Sequence, residues 1–284
     1  MDVSKQDRER RKPHRINEAD FIVDYFRCAL RSNVLSSIAH YKMYRRLMNE
    51  VDKRSLFIAQ HRVFLEAHED FAQLLGAFYE RTHSNTPIYR TLAEKKDNPN
   101  YSRKLSRFKK SKDLYDWVGL DQKKLVEMAT KASGMSLEEC REIMPKLGRD
   151  IIHSVKDYKR HKMIRQNTYN TSKHGKAILS VKPELLNNLD KVSDEEGLHY
   201  LYVQKIKGGE DKLKSDIIPV GVDQFRVLVK GVFHIRTTMS ELIYLFIVQE
   251  YPPHVGKIQE ANDADERIWK EAKELFSETH ECGQ

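Results

Sequence analysis

From residue 21 the apolar positions run Phe21/Ile22, Tyr25/Phe26, Ala29/Leu30, Val34 and Ile38, spaced by three and four. A helix with 3.6 residues per turn gathers such positions into one stripe, so the segment reads as an amphipathic helix. Asn17 stands where it can cap the first turn, and Asp20 lies near the positive end of the helix dipole. A second stripe of Phe57, Phe64, Ala67, Phe71, Leu75 and Phe78, with Leu56, Val63 and Leu74 beside it, predicts a helix over residues 53–81. The link around Asn49–Lys53 is short, which predicts that the two helices form an antiparallel hairpin.

The pattern then breaks. Residues 83–112 carry Ser, Asn and Pro punctuation and a run of basic residues, and read as an extended loop insertion. Shorter helices are expected over 111–117 and 121–133. Ser136-Leu-Glu-Glu139 is a capping box that opens another, and a further helix runs over 147–173 to a left-handed stop at Gly175. Beyond Gly175 the period changes to two. Residues 177–181, 198–206 and 216–222 read as strands, with Gly208-Gly209 as the turn between the last two. Asp223 is expected to cap a long apolar helix over 223–250, central to the bundle and stopped by Pro252 and Pro253. The predicted fold is therefore mainly α: a helical bundle with a small β-hairpin insertion before its last long helix. Residues 1–16 form a basic disordered arm and 17–255 the bundle, with insertions at 83–112 and 176–222. Residues 256–284 form an acidic helical tail with one short helix around Trp269.

Composition adds constraints on partners. The 284 residues carry a formal charge of +8 with only 12 Gly and 8 Pro, a sparing use of chain breakers that suits long helices. A basic balance favours phosphate-bearing partners without deciding for them. Cys28, Cys140 and Cys282 are far apart and contain no Cys-x-x-Cys pair, which argues against a zinc ribbon or a redox motif. Cys28 is read as a small core residue. The N-terminal stretch is charged rather than apolar, and the longest apolar run, Leu242–Val248, is far shorter than the ~20 residues needed to cross a bilayer. A cytoplasmic protein that meets no membrane is the expectation.

Candidate chemistry concentrates in Lys159–Gly175. On a helix, Asn167, Asn170 and His174 fall on one face, with Lys173 and Tyr169 in the next row and Arg160 and Lys156 behind them. An imidazole beside an ammonium and carboxamides can move a proton near a phosphate or carbonyl. The bland alternative is a solvated helix end where His174 caps carbonyls. Arg103, Lys104, Arg107, Lys109, Lys110 and Lys112 form a basic run that can neutralise nucleic-acid phosphates, or can simply be a solvated charge run. Arg62 and His68 point roughly 120° apart on a helix, so His68 reads as a boundary core histidine and Arg62 as a surface charge. Glu66, Glu69, Asp70 and Asp24 lack the spacing of a di-metal site, so neither a metal nor any other cofactor is expected. No phosphate loop, His-Glu-x-x-His or Gly-x-Ser-x-Gly elbow occurs.

Two long helices, a variable middle, a helix ending in Tyr169-Asn170-Thr-Ser-Lys173-His174-Gly175, a hairpin and a closing apolar helix together resemble the HEPN-like helical proteins. The resemblance covers residues 17–82 and 147–250. It implies a compact bundle that contacts RNA or nucleotides, in many members a metal-independent ribonuclease. It also admits a homodimer. In that reading His174 is the general acid–base, Lys173 or Arg165 stabilises phosphate charge, and Asn170 orients the substrate; Arg160 and the basic run bind nucleic acid. The alternative is a non-catalytic module whose bundle presents a groove to a protein partner.

Overall fold

The computed structural model describes residues 16–94, 111–132, 136, 138, 146, 149–154, 178–179, 197–204, 212–219 and 221–277. Helix α1 spans Glu18–Arg46 and α2 spans Glu50–Ser84. Asn17 caps α1 as the sequence predicts, its side chain accepting from the Ala19 and Asp20 amides. Asn49 caps α2 through the Val51 amide at 2.8 Å, so α2 begins three residues earlier than its apolar stripe suggested. At its far end Asn85 takes the left-handed conformation (φ 52°), which lets the chain turn away. The three residues between α1 and α2 force an antiparallel hairpin, and the two helices pack along their length.

Part of the expected loop is helical. α3 covers Ile88–Glu94 and buries Ile88 completely. Its first amide is held by Glu18 at 2.6 Å, a contact from a residue 70 positions away that no local pattern announces. α4 (Ser111–Val118) and α5 (Gln122–Ala132) follow, joined at Gly119 with φ +71°, a left-handed turn that suits glycine. Residues 149–154 are helical. Backbone pairing over β1 (Ile178–Leu179), β2 (Gly197–Gln204) and β3 (Lys212–Pro219) is antiparallel in the order β1-β2-β3. β3 thus starts four residues before the expected Asp216, and the Gly208-Gly209 turn lies outside the described residues.

The central element is α6, Val222–Glu250, which packs on α1, α2, α5 and the last helix. Its cap is Gly221, without a side-chain cap bond; Asp223, expected in that role, sits in the first turn and pairs with Arg226 at 3.4 Å. Pro252–His254 form a 3-10 turn, and α7 then spans Val255–Ser277. The acidic tail is therefore a 23-residue helix rather than a short one. It buries Val255, Ile258, Ala261 and Ile268 in the same core as α1 and α6. The core is mainly α-helical in make-up, centred on Phe26, Phe57, Phe71, Phe78, Phe225 and Phe246.

Two further expectations change. Cys28 is exposed on α1 and not in the core. Its neighbour Arg27 reaches across to α7, with its guanidinium on the Lys257 carbonyl, which shows that this side of α1 is the rim of the helix. By length and composition α6 is the one helix among the described residues that could cross a bilayer, whereas the apolar run alone looked too short. Of that apolar window 67% is buried inside the bundle. In its middle the buried Arg236 lies over the Phe26 ring at 4.2 Å and donates to the Phe26 carbonyl and Ser240 Oγ.

Candidate functional site

The predicted catalytic residues His174, Lys173, Asn170 and Arg165 lie outside the described residues, as do Arg160, Arg103, Lys104, Arg107, Lys109 and Lys110. Lys112 is in the first turn of α4. The Arg62/His68 reading holds: His68 is buried, its Nδ1 at 2.8 Å from the Phe64 carbonyl, and Arg62 is exposed. Asp70 accepts a hydrogen bond from Asn33 Nδ2 at 3.1 Å, while Glu66 and Asp24 are exposed. Among the described residues no three of His, Cys, Asp and Glu gather as a metal site would require.

The structure brings together a group that the sequence reading did not single out. It forms where Lys146 and residues 149–154 meet α6. Ile151, Ile152 and Ser154 are buried, which leaves His153 on the exposed side. On α6, Val232, Phe233, Ile235 and Arg236 are buried, and His234 faces outward between them. The two imidazoles meet edge to face with centroids 5.9 Å apart. The buried Ser154 hydroxyl lies 3.2 Å from His234 Nε2, which fixes that ring and leaves Nδ1 on its other side.

One to two turns along α6, Glu241 lies within electrostatic reach of Lys146 and Asp150. Burial pushes the Glu241 carboxyl above its ordinary range; Lys146 opposes that rise and Asp150 adds to it. The order of these pairs shows direction. Lys146 and Asp150 face Glu241, and His153 and Ser154 face His234, so the segment runs antiparallel to α6. Exposed Arg149 and Lys230 flank the group with positive charge.

Chemically this is a pair of solvent-facing imidazoles beside cations, able to accept a proton with one ring and donate one with the other. No signal in the sequence links His153 to His234, which are 81 positions apart. Burial of Ile151 in the same core as α6 helps to bring them together. Compared with family models, with curated proteins and with solved structures, the chain matches none.

Proposed function

We propose that the chain is an RNA-contacting helical protein of the HEPN-like kind, acting as a ribonuclease that needs no metal ion. The observation that carries this reading is the edge-to-face pair of exposed imidazoles, His153 and His234, steadied by Ser154. In the proposed step one imidazole takes the proton of a ribose 2′-hydroxyl, whose oxygen attacks the adjacent phosphorus. The other imidazole protonates the departing 5′-oxygen. The products are a 2′,3′-cyclic phosphate and a 5′-hydroxyl, and no electrons change hands. Lys146, Arg149 and Lys230 supply positive charge for the phosphate. The chain runs on from Ser154 into Lys156–Gly175, so His174, Lys173, Asn170 and Arg165 stay in the proposal as further acid–base and phosphate-binding groups. The net charge of +8 is consistent with such a partner.

The test is incubation of the purified chain with end-labelled RNA in EDTA, beside His153→Ala, His234→Ala and His174→Ala. A general acid or base contributes about 10²- to 10⁴-fold, so the responsible variants should fall by that much while retaining their fold. Cyclic phosphate ends should accumulate. Intact RNA with the wild-type chain, or equal cleavage by all three variants, would sink the reading.

A further inference from the structure

Hydroxyls on the helices of this bundle share a habit. Ser55, Thr82, Thr237, Thr238 and Ser240 each donate to the carbonyl four residues back, at 2.7–3.1 Å. Such a bond satisfies the hydroxyl proton without leaving the helix. Ser154 is helical too, and the corresponding carbonyl is that of Asp150. Its hydroxyl turns elsewhere. Among the described residues its one hydrogen-bond contact is His234 Nε2, at 3.2 Å.

A hydroxyl accepts as well as donates, so the contact allows two arrangements. In the first, Nε2–H donates to Ser154 Oγ. The Ser154 proton is then left without an acceptor on a residue only 1% exposed, where bulk water does not reach it. In the second, Ser154 donates into the Nε2 lone pair, and both groups are satisfied. Leaving a buried donor unpaired carries its full desolvation penalty, so the second arrangement wins. A neutral imidazole carries a single N–H. With Nε2 as acceptor that hydrogen is on Nδ1, the nitrogen turned away from Ser154. A histidine side chain in water favours the opposite form, with the proton on Nε2.

We infer that Ser154 is a positioning residue that holds His234 in the Nδ1–H form, so that α6 offers an N–H to a ligand oxygen of the kind a phosphate ester carries. The consequence for catalysis rests on the proposed RNA cleavage, in which the two rings then have unequal work. His153 is the ring that takes the 2′-hydroxyl proton. The Nδ1–H of His234 goes to the departing 5′-oxygen while Nε2 keeps its bond from Ser154. The proton gained by His153 returns to His234 through water, which restores both rings and balances the step. A neutral imidazole can serve as the electrophile of an active site.

Nitrogen-15 NMR of the imidazoles tests this on the full chain without RNA. In buffer above the ordinary histidine range a ring carries one N–H, and the spectrum separates the protonated nitrogen from the bare one. The His234 signals are those missing from His234→Gln. In the wild-type chain they should show Nδ1 protonated and Nε2 bare. In Ser154→Ala the proton should move to Nε2 in most molecules, with a parallel melting curve verifying the fold. Cleavage of end-labelled RNA by Ser154→Ala should fall about tenfold or more in kcat with KM unchanged, the usual size for loss of a group that orients an active-site histidine. A protonated Nε2 in the wild-type chain overturns the inference, and so does an Nδ1–H that survives in Ser154→Ala. Because the tautomer is read without substrate, a wild-type chain that leaves RNA intact would sink the ribonuclease reading alone, and the NMR result would still decide the role of Ser154.

Discussion

The ring of Phe64 on α2 lies directly against Gly231 of α6, where an added Cβ would collide with the ring's Cε2 atom. A glycine inside a helix costs about 1 kcal/mol relative to alanine, so in an open position Gly231→Ala would stabilise. Here the neighbour is a Phe side chain only 6% exposed, which has little room to withdraw. Overpacking costs about 1–3 kcal/mol and should outweigh the helix-propensity gain. Gly231→Ala is therefore expected to lower the melting temperature by a few degrees, and Gly231→Val by more. A double-mutant cycle with Phe64→Leu should show positive coupling, since the smaller side chain makes room. A higher melting temperature for Gly231→Ala would mean that the ring moves freely.

At the opposite end of the bundle Glu18 ties four segments. Its carboxylate accepts from Arg81 Nε at 3.1 Å, Tyr251 Oη at 2.6 Å and the Ile88 amide at 2.6 Å. The Glu18 side chain is only 13% exposed, so its removal leaves a phenol, a guanidinium and an amide to find other partners out of full contact with water. Hydrogen bonds to a charged group contribute about 1.5–3 kcal/mol each at most. Glu18→Ala should cost about 2–4 kcal/mol in urea unfolding, and Glu18→Gln less, because the amide oxygen still accepts. A cost under about 0.5 kcal/mol for Glu18→Ala, the usual size for a surface change, would show that water replaces the carboxylate.

What the chain's pattern made legible is what periodicity carries. The stripes from Phe21 and from Phe57 through Phe78 become the buried faces of α1 and α2, and Asn17 caps where its side chain and position said it should. Two of the errors share one physical cause. Ile88–Glu94 folds as a helix because Glu18 and a pocket for Ile88 wait for it, and α7 extends to Ser277 because α1 and α6 offer its apolar positions a surface. Both are tertiary supports that a local window does not contain. Cys28 was misplaced because it follows a buried stripe in sequence, while at 100° per residue it falls two positions beyond Phe26 and outside that stripe. The imidazole pair was illegible for the same reason: its two members share no local period.

Gln249 offers another test of support supplied from a distance. It is 5% exposed, donates from Nε2 to the Gly119 carbonyl at 2.8 Å and accepts from the Asp121 amide at 2.7 Å. These bonds hold the left-handed turn between α4 and α5 against the end of α6. Gln249→Leu keeps the volume but strands a backbone donor and acceptor, at about 1–3 kcal/mol for each group that stays buried. The expected result is a loss of about 2–4 kcal/mol, with hydrogen exchange accelerated first at Leu120 and Asp121. Uniform acceleration across the bundle, with no excess at this turn, would refute the local account.

Glu241 links the imidazole site to pH. Burial holds its folded carboxyl above the ordinary carboxylate range, so the folded chain binds this proton more tightly than the unfolded one. The stability it contributes is complete below the ordinary carboxylate pKa and is lost as pH rises through the raised value. At neutral pH the ionised side chain is thus a burden, lightened by Lys146 and worsened by Asp150. Glu241→Gln removes that burden. It should leave stability in acid nearly unchanged and raise it at neutral pH, by less than a full burial penalty because the carboxyl is only partly buried. Lys146→Met should act in the opposite direction, deepening the neutral-pH deficit, since it removes a cation that opposes the rise. Urea midpoints measured from acid to neutral pH distinguish the cases. A Glu241→Gln chain that loses stability at neutral pH would show that the carboxylate is favourably paired, and that the raised proton affinity is wrong in sign.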